Sequence, residues 1–185
     1  MTHIVPYALL AILCFFIKIV GMKTYYQAAG VRLAGNIEIG EDVSLWYNAV
    51  LRTDETTSLR IGRGTNIQDL VMIHADFGHT VEIGEYVTVG HSAILHGCVI
   101  GNNSLIGMGA IVMDNAVIPP YSLVAAGALV SQGKTYPERC LIMGAPAKAV
   151  RPLTEEECRR LEQSARHYIK ETARSLPAYE KETES

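Results

Sequence analysis

The stretch IGNNSLIGMGAIVMDNAVIPPYSLVAAGALV, residues 100–130, decides the fold. An Ile or a Val occupies every sixth position of this stretch, at residues 100, 106, 112, 118, 124 and 130. A period of six matches neither the 3.6-residue repeat of a helix nor the two-residue alternation of a simple strand. It is typical of a β-solenoid, in which short strands turn a corner every sixth residue and the aliphatic side chains fill the interior.

The same pattern extends towards the amino terminus as far as Ile39 and forms five groups of three aliphatic positions. These are residues 39, 45, 51; 61, 67, 73; 83, 89, 95; 100, 106, 112; and 118, 124, 130. A small or β-branched residue, such as Val99, follows four positions later in twelve of the fifteen cases. Extra residues occur after the third position of two groups, within 51–61 and 73–83. We therefore expect two loops that leave the same corner of the solenoid.

The composition excludes some classes of protein. The chain has 185 residues, of which 49% are hydrophobic and 19% are charged, which is ample for a single folded core. A net charge of −3 provides no basic field, so we expect no nucleic-acid partner. The four cysteines, at positions 14, 98, 140 and 158, form no CxxC pair. This spacing favours a reducing compartment and predicts a cytoplasmic protein.

The amino-terminal residues 1–21 form a hydrophobic segment that does not fit the repeat. Residues Ile4–Ile17 carry no charge, but the stretch is shorter than the roughly 20 apolar residues that span a membrane. Three interpretations stay open: a membrane anchor, a helix packed on the core, or an extension upstream of a start at Met22. Any membrane contact is expected only through residues 4–20.

The solenoid is expected over residues 22–150, followed by an amphipathic α-helix over residues 151–176. MGAPAKAVRPL, residues 143–153, is interpreted as an exit loop. The sequence Thr154-Glu-Glu-Glu157 is a capping box, which marks the start of a helix. Pro177 is expected to end the helix, and residues 177–185 form a charged tail.

Two histidines follow corresponding third positions of consecutive coils. His74 follows Ile73 and His96 follows Leu95, so the two imidazoles stack on one face, roughly 5 Å apart at the backbone. At that separation both can reach one ion at about 2.0–2.1 Å. His91 lies on the preceding face, where a neighbouring copy of the chain could present it to the same ion. The spacing predicts a homotrimer with equivalent sites at its interfaces, whereas a lone surface histidine is usually only solvated.

Several segments resemble the gamma-class carbonic anhydrases over about residues 31–176. They are IGEDVSLWYNAVLRTD (39–54), IGRGTNIQDLVMIHAD (61–76), VTVGHSAILHGCVIG (87–101), IGMGAIV (106–112) and MGAPAKAVRPL (143–153). The resemblance implies an all-β solenoid, a left-handed parallel β-helix of hexapeptide repeats with a C-terminal α-helix. It also implies that His74, His91 and His96 bind Zn2+ (or Fe2+ or Co2+) at a trimer interface. The implied reaction is the reversible hydration of CO2 to bicarbonate by hydroxide at that metal.

Further residues match positions with roles in the family. Arg52 and Asp54 match an ion pair between subunits, and Asn66 and Asp69 match groups that surround the ligands and the interface. For Arg52, Asp54 and Asp69, a role in trimer stability alone is the alternative.

Three other matches concern substrate and protons. Gln68 matches a residue that hydrogen-bonds the reacting water or the substrate, and Glu55 matches a glutamate implicated in proton transfer. Tyr168, on the terminal helix, is expected to approach the metal pocket. The loop at residues 75–80 is short, whereas some family members carry a long acidic loop there.

Two other functions stay open. One is a hexapeptide acyltransferase, with a histidine base and acyl-CoA bound between coils. The other is a trimeric scaffold that the metal stabilises without catalysis.

Overall fold

A computed structural model describes residues 25–182, and it shows a parallel β-solenoid of about six turns followed by one α-helix. The predicted fold class is therefore confirmed. The amino-terminal segment, residues 1–21, lies outside the described residues together with its three interpretations. Among residues 25–182, no helix combines the length and apolarity needed to cross a membrane.

The nineteen strands of the described region form three sheets that make the faces of the prism. Sheet A contains β1 (Tyr26–Gln27), β4 (Ser44–Leu45), β7 (Asn66–Ile67), β10 (Thr88–Val89), β13 (Leu105–Ile106), β16 (Leu123–Val124), β18 (Cys140–Gly144) and β19 (Ala147–Pro152). Sheet B contains β2 (Arg32–Ala34), β5 (Val50–Thr53), β8 (Met72–Ala75), β11 (Ile94–His96), β14 (Ile111–Val112) and β17 (Leu129–Val130). Sheet C contains β3 (Ile37–Ile39), β6 (Leu59–Ile61), β9 (Val81–Ile83), β12 (Val99–Ile100) and β15 (Val117–Ile118).

The six-residue period places the aliphatic side chains in register inside the prism. Leu51, Ile73 and Leu95 pair in sequence across sheet B, and the other two sheets repeat this alignment. Fourteen of the fifteen positions are at most 3% exposed, and only Ile39, near the end of the solenoid, is half-buried. Burial of each such side chain is worth about 1.5–3 kcal/mol, so this column supplies the core.

The solenoid begins two strands earlier than the aliphatic repeat, which starts at Ile39. Gln27, Leu33 and Ile39 occupy the three interior-type positions of a first coil, which pairs with the second coil through β1, β2 and β3. The polar Gln27 at the first position breaks the aliphatic pattern, and Leu33 at the second position fits the period but is 36% exposed. Since an end coil is covered on one side only, its positions tolerate such residues.

The repeat is irregular at Val99. Val99 is 36% exposed, and Cys98 is fully buried in its place. The physical reason is a one-residue deletion, because Leu95 and Ile100 are five residues apart while the other spacings within the repeat are six or more.

The solenoid ends in a hairpin, where the sequence predicted an exit loop. β18 adds a seventh strand to the parallel part of sheet A, and β19 pairs with it in antiparallel orientation. The returning chain satisfies the free edge of β18, which a loop would leave exposed. The predicted domain boundary after residue 150 therefore falls inside β19.

The terminal helix α1 (Glu155–Glu182) begins at the predicted capping box. The Thr154 backbone N–H donates to Glu157, and the Glu157 backbone N–H donates to the Thr154 hydroxyl. The predicted end at residue 176 is wrong, because the helix continues through Pro177 to Glu182. A proline removes one backbone hydrogen bond, which a helix that is already formed can lose without ending there.

Candidate metal centre

Three strands of sheet B place a column of polar side chains on its outer face. Arg52 of β5 pairs with His74 of β8, which pairs with His96 of β11. The imidazole centroids of His74 and His96 are 5.0 Å apart, and His74 Nδ1 lies 3.1 Å from His96 Nε2. The stacking predicted from the sequence is therefore present.

Sequence reasoning missed Asp76 at this site. Its Oδ2 lies 3.5 Å from His74 Nδ1 and 3.7 Å from His96 Nε2, so the three side chains form one group of potential metal donors. Successive side chains of a strand point to opposite faces, and residue 76 therefore projects to the same side as residue 74. This two-residue spacing was the signal that could have revealed it.

Each imidazole has one nitrogen that faces the other ring, the inner nitrogen, and one that faces a carboxylate, the outer nitrogen. His96 Nδ1 lies 2.6 Å from Asp114 Oδ1, and His74 Nε2 lies 3.4 Å from Asp54 Oδ1. Because an ionised carboxylate only accepts hydrogen bonds, the 2.6 Å contact requires a proton on Nδ1 of His96, and the longer Asp54 contact favours the tautomer of His74 that has its lone pair on Nδ1. The Arg52 guanidinium, which only donates, lies 3.4 Å from His74 Nδ1 and also requires a lone pair there.

When both rings are neutral, with the proton on the outer nitrogen, the inner nitrogens present two lone pairs to each other across 3.1 Å, beside the Asp76 carboxylate. Such an arrangement repels itself unless a cation or a proton lies between the donors. Ligands 2.0–2.1 Å from a tetrahedral ion stand about 3.3 Å from one another, which matches the observed spacing. The residues present therefore fit a divalent metal.

His91 lies at the corner between sheets A and B and does not join this group within one chain. Its Nδ1 is 2.9 Å from Asp69 Oδ2, and its backbone N–H donates to Gln68 Oε1 at 3.2 Å. The carboxylate fixes the proton on Nδ1 and leaves a lone pair on Nε2. His91 is exposed, and its role as a metal ligand stays a prediction.

A chain of hydrogen bonds runs from the corner at His91 along the face of sheet A that α1 covers. The Gln68 amide donates to Asn66 Oδ1 at 3.2 Å, and the Asn66 amide donates to Thr88 Oγ1 at 2.9 Å. The Thr88 hydroxyl lies 3.2 Å from the hydroxyl of Ser164 on α1. The Gln68 side chain is thus held in place by this chain.

A cavity of about 390 Å3 opens between α1 and sheet A beside the same corner. Gln68, His91 and Tyr168 line its polar end, and apolar residues such as Leu105 and Leu123 line the remainder. Burial raises the pKa of Tyr168, so its phenol stays neutral and can donate a hydrogen bond. Trp46 packs edge-on against the Tyr168 ring at 5.8 Å.

The remaining predicted residues lie at the end of β5 and on the loop that follows it. Arg52 and Asp54 form an ion pair within the chain, with 3.6 Å between Nη1 and Oδ1. Their predicted pairing between subunits stays a prediction. Glu55 follows on the exposed loop between β5 and β6.

Fold and site together define a hexapeptide-repeat protein with a histidine-rich candidate metal centre. The family model described as bacterial transferase hexapeptide (six repeats) matches residues 97–132. A solved hexapeptide transferase family protein from Anaplasma phagocytophilum is 42% identical and has a TM-score of 0.79, covering 84% of this chain and 91% of that chain.

Two curated relatives define the family more closely. A probable carbonic anhydrase of Methanocaldococcus jannaschii is 40% identical over 148 residues, which cover 80% of this chain and 92% of that protein. The mitochondrial gamma carbonic anhydrase 2 of Arabidopsis thaliana is 40% identical over 153 residues, and the match spans 80% of this chain but only 55% of that protein. The chain belongs to the gamma carbonic anhydrase family of hexapeptide-repeat proteins.

Proposed function

We propose that the protein is a gamma-class carbonic anhydrase that reversibly hydrates CO2 to bicarbonate. His74 and His96 of one copy and His91 of a neighbouring copy would hold the metal, Zn2+ or else Fe2+ or Co2+. The observation that carries this proposal is the pairing of His74 with His96 on neighbouring strands, with His74 Nδ1 and His96 Nε2 only 3.1 Å apart. A metal in such a site supplies Lewis acidity, which makes water acidic enough to yield hydroxide near neutral pH.

A carboxylate lies beside each of the three histidines and would orient it for metal binding. Asp54, Asp69 and Asp114 lie against one nitrogen of His74, His91 and His96, respectively. Each contact fixes the tautomer and the ring orientation, which raises the basicity of the ligand. An imidazole that binds a metal does so in its neutral form and leaves the charge of the ion undiminished.

Other side chains are positioned to handle substrate and product. The Arg52 guanidinium beside His74 places a positive charge where anionic bicarbonate would form. Gln68 and Tyr168, which line the cavity near His91, provide hydrogen bonds for water or substrate. Asn66 holds the Gln68 side chain in place, and Asp69 does the same for His91. Glu55, on the exposed loop after β5, accepts protons.

A homotrimer would bring the two halves of the site together. The outward side chains of successive sheet B strands form an apolar ladder beside the histidine column. It contains Val50, Met72, Ile94, Ile111 and Leu129. Leu70 and Met108, which are 61% and 59% exposed, flank the His91 corner. An exposed apolar strip of this kind favours association with another chain.

Mixing two inactive variants tests this arrangement. His91→Ala and His96→Ala should each abolish CO2 hydration, measured by stopped flow with a pH indicator, while circular dichroism shows a folded chain. Trimers reassembled from equal amounts of both variants should recover about one quarter of the wild-type rate, because one interface in four pairs two intact halves. A metal-replete wild-type trimer without hydration above buffer would refute the proposed activity.

The alternatives predict different results. A hexapeptide acyltransferase would use the cavity beside His91, and CoA would raise its melting temperature. A metal-stabilised scaffold would dissociate on chelation without ever showing turnover. The cytoplasmic location also belongs to this proposal, and the free, buried thiols of Cys98, Cys140 and Cys158 are compatible with it.

A further inference from the structure

Phe77 occupies a position that suits neither its backbone nor its side chain within one copy of the protein. Its side chain is 89% exposed, more than any other large hydrophobic side chain that the structure describes. It lies at the tip of the turn after β8, which the His79 N–H closes by donating to the Asp76 carbonyl at 2.8 Å. Both central residues of this turn are left-handed, with φ of +47° at Phe77 and +81° at Gly78. Such turns favour Gly, Asn and Asp, so a phenylalanine here points to a function.

Other aromatic residues with a positive φ have partners on α1. The Arg166 guanidinium lies over the ring of Tyr86, 5.1 Å from its centroid, and Tyr86 has a φ of +54°. Tyr121, also with a φ of +54°, donates a hydrogen bond to Glu162 at 2.8 Å. These contacts offset the cost of the left-handed backbone. The exposed ring of Phe77 therefore calls for a partner outside the chain that carries it.

The apolar cavity beside His91 offers a matching surface. Leu105, Met108 and Leu123 form part of its wall, and Met108 is 59% exposed. Its volume of about 390 Å3 is well above the roughly 150 Å3 that accept a benzene molecule in a protein interior. A phenyl ring therefore fits against the leucines and leaves space at the polar end, which Gln68 and His91 line.

We infer that Phe77 of one copy inserts into the cavity beside His91 of a neighbouring copy. The inference rests on the proposed function, because it takes the neighbour's His91 to approach the ion at His74 and His96. Phe77 directly follows Asp76, whose Oδ2 lies 3.5 Å from His74 Nδ1, so its ring stands at the same corner of the prism as the two histidines. His91 is itself part of the cavity wall. An assembly that joins the two halves of the metal site therefore also brings Phe77 to the mouth of the neighbour's cavity.

The contact has the form that a closed ring of three subunits requires. Each copy gives one aromatic ring to one neighbour and receives one from the other, so no cavity and no Phe77 is left over. The buried ring adds an anchor to each interface beside the apolar ladder of sheet B. Loss of this anchor weakens the association of the subunits and leaves the fold of each one intact, because Phe77 is exposed within its own chain.

Sedimentation equilibrium of the full-length protein tests the contact. Phe77→Gly should weaken association by at least about 30-fold per interface, the loss expected for one central anchor side chain. Circular dichroism should show an unchanged fold, since glycine adopts a positive φ readily. Phe77→Leu keeps an apolar side chain and should associate more tightly than Phe77→Gly. Val150→Ala, which trims a 54% exposed side chain of β19, should associate as the wild type does. Wild-type association of Phe77→Gly would overturn the inference.

A photochemical cross-link locates the partner of the ring. The photoreactive amino acid p-benzoylphenylalanine replaces Phe77, and this chain is mixed with isotope-labelled wild-type chain before illumination. Mass spectrometry should find the cross-link on labelled residues 105–108 or 123–126, which line the cavity. The same amino acid in place of Val99, on sheet C, should give no cross-link between copies. A metal-binding trimer whose cross-links avoid the cavity would overturn the inference and leave the proposed function intact, whereas a wild-type protein that never forms trimers would overturn both.

Discussion

Asp114 Oδ1 lies 2.6 Å from Nδ1 of His96, although the two residues are eighteen positions apart in sequence. The contact spans two coils of the solenoid, because His96 ends β11 and Asp114 follows β14, the strand that pairs with it. It is the shortest of the three carboxylate contacts to the predicted histidine ligands, which measure 2.6, 2.9 and 3.4 Å. The carboxylate directs the lone pair of Nε2 towards His74.

Asp114→Asn should weaken metal binding by about 10- to 100-fold, because an outer carboxylate raises ligand basicity and fixes its tautomer. The affinity is measured by chelator competition, and the tautomer of His96 by 15N chemical shifts. Asp42→Asn, which removes an exposed carboxylate near Arg63, is the control and should leave both readouts unchanged. Wild-type affinity in Asp114→Asn would show that the contact has no influence on the metal.

Gly97→Ala should disturb the contact between His96 and Asp114, because Gly97 follows His96 and its backbone lies against Asp114. Gly97 has a φ of +51°, and an added Cβ would collide with the Asp114 carboxylate and come within 2.9 Å of the His79 Cβ. Gly109→Ala is a matched control, since Gly109 has a φ of +65° and nothing within 4 Å of the added atom. Both variants should lose about 1–2 kcal/mol to the left-handed conformation. Only Gly97→Ala should also lose metal affinity, and equal affinities would contradict this account.

Ile111→Glu should dissociate the proposed trimer. Ile111 belongs to the apolar ladder of sheet B, where a buried carboxylate without a partner would be costly in an interface. Val99→Glu places the same charge on sheet C at a residue of equal exposure, 36%, and should leave the assembly unchanged. Light scattering after gel filtration gives the mass of both variants. A trimeric Ile111→Glu protein would exclude sheet B as the interface.

The capping box of α1 should make a small, pH-dependent contribution to stability. Thr154→Ala should lower the free energy of unfolding by about 1 kcal/mol, since it removes the side chain that caps the helix. Hydrogen bonds from Arg151 and from the Thr154 backbone lower the pKa of Glu157 from 4.5 to about 2.

A lowered pKa in the folded chain means that the Glu157 contribution is present above about pH 4.5 and is lost as the pH falls through about 2. Urea unfolding of wild type and Glu157→Gln across this range measures the effect. The two proteins should differ in stability at neutral pH and converge in acid, and a constant difference would contradict the assignment.

The sequence by itself determined the solenoid, its interior and the stacking of His74 on His96. These features follow from counting, because every coil repeats the same three faces and residues at equal positions lie one strand apart. The capping box was equally local, since Thr154 and Glu157 are three residues apart.

Only the tertiary structure decided which groups surround the histidines. Asp114 reaches His96 from the neighbouring coil, whereas Asp76 lies two residues after His74 at the start of an inserted loop, whose path the repeat does not predict. The repeat also does not reveal that Gln27 pairs with Leu45 in an end coil, or that a one-residue deletion buries Cys98 and exposes Val99. A periodic pattern fixes the positions that point inwards, because burial selects aliphatic side chains there. Polar contacts on the outer face depend instead on how far each side chain reaches across the strands, which only the folded chain determines.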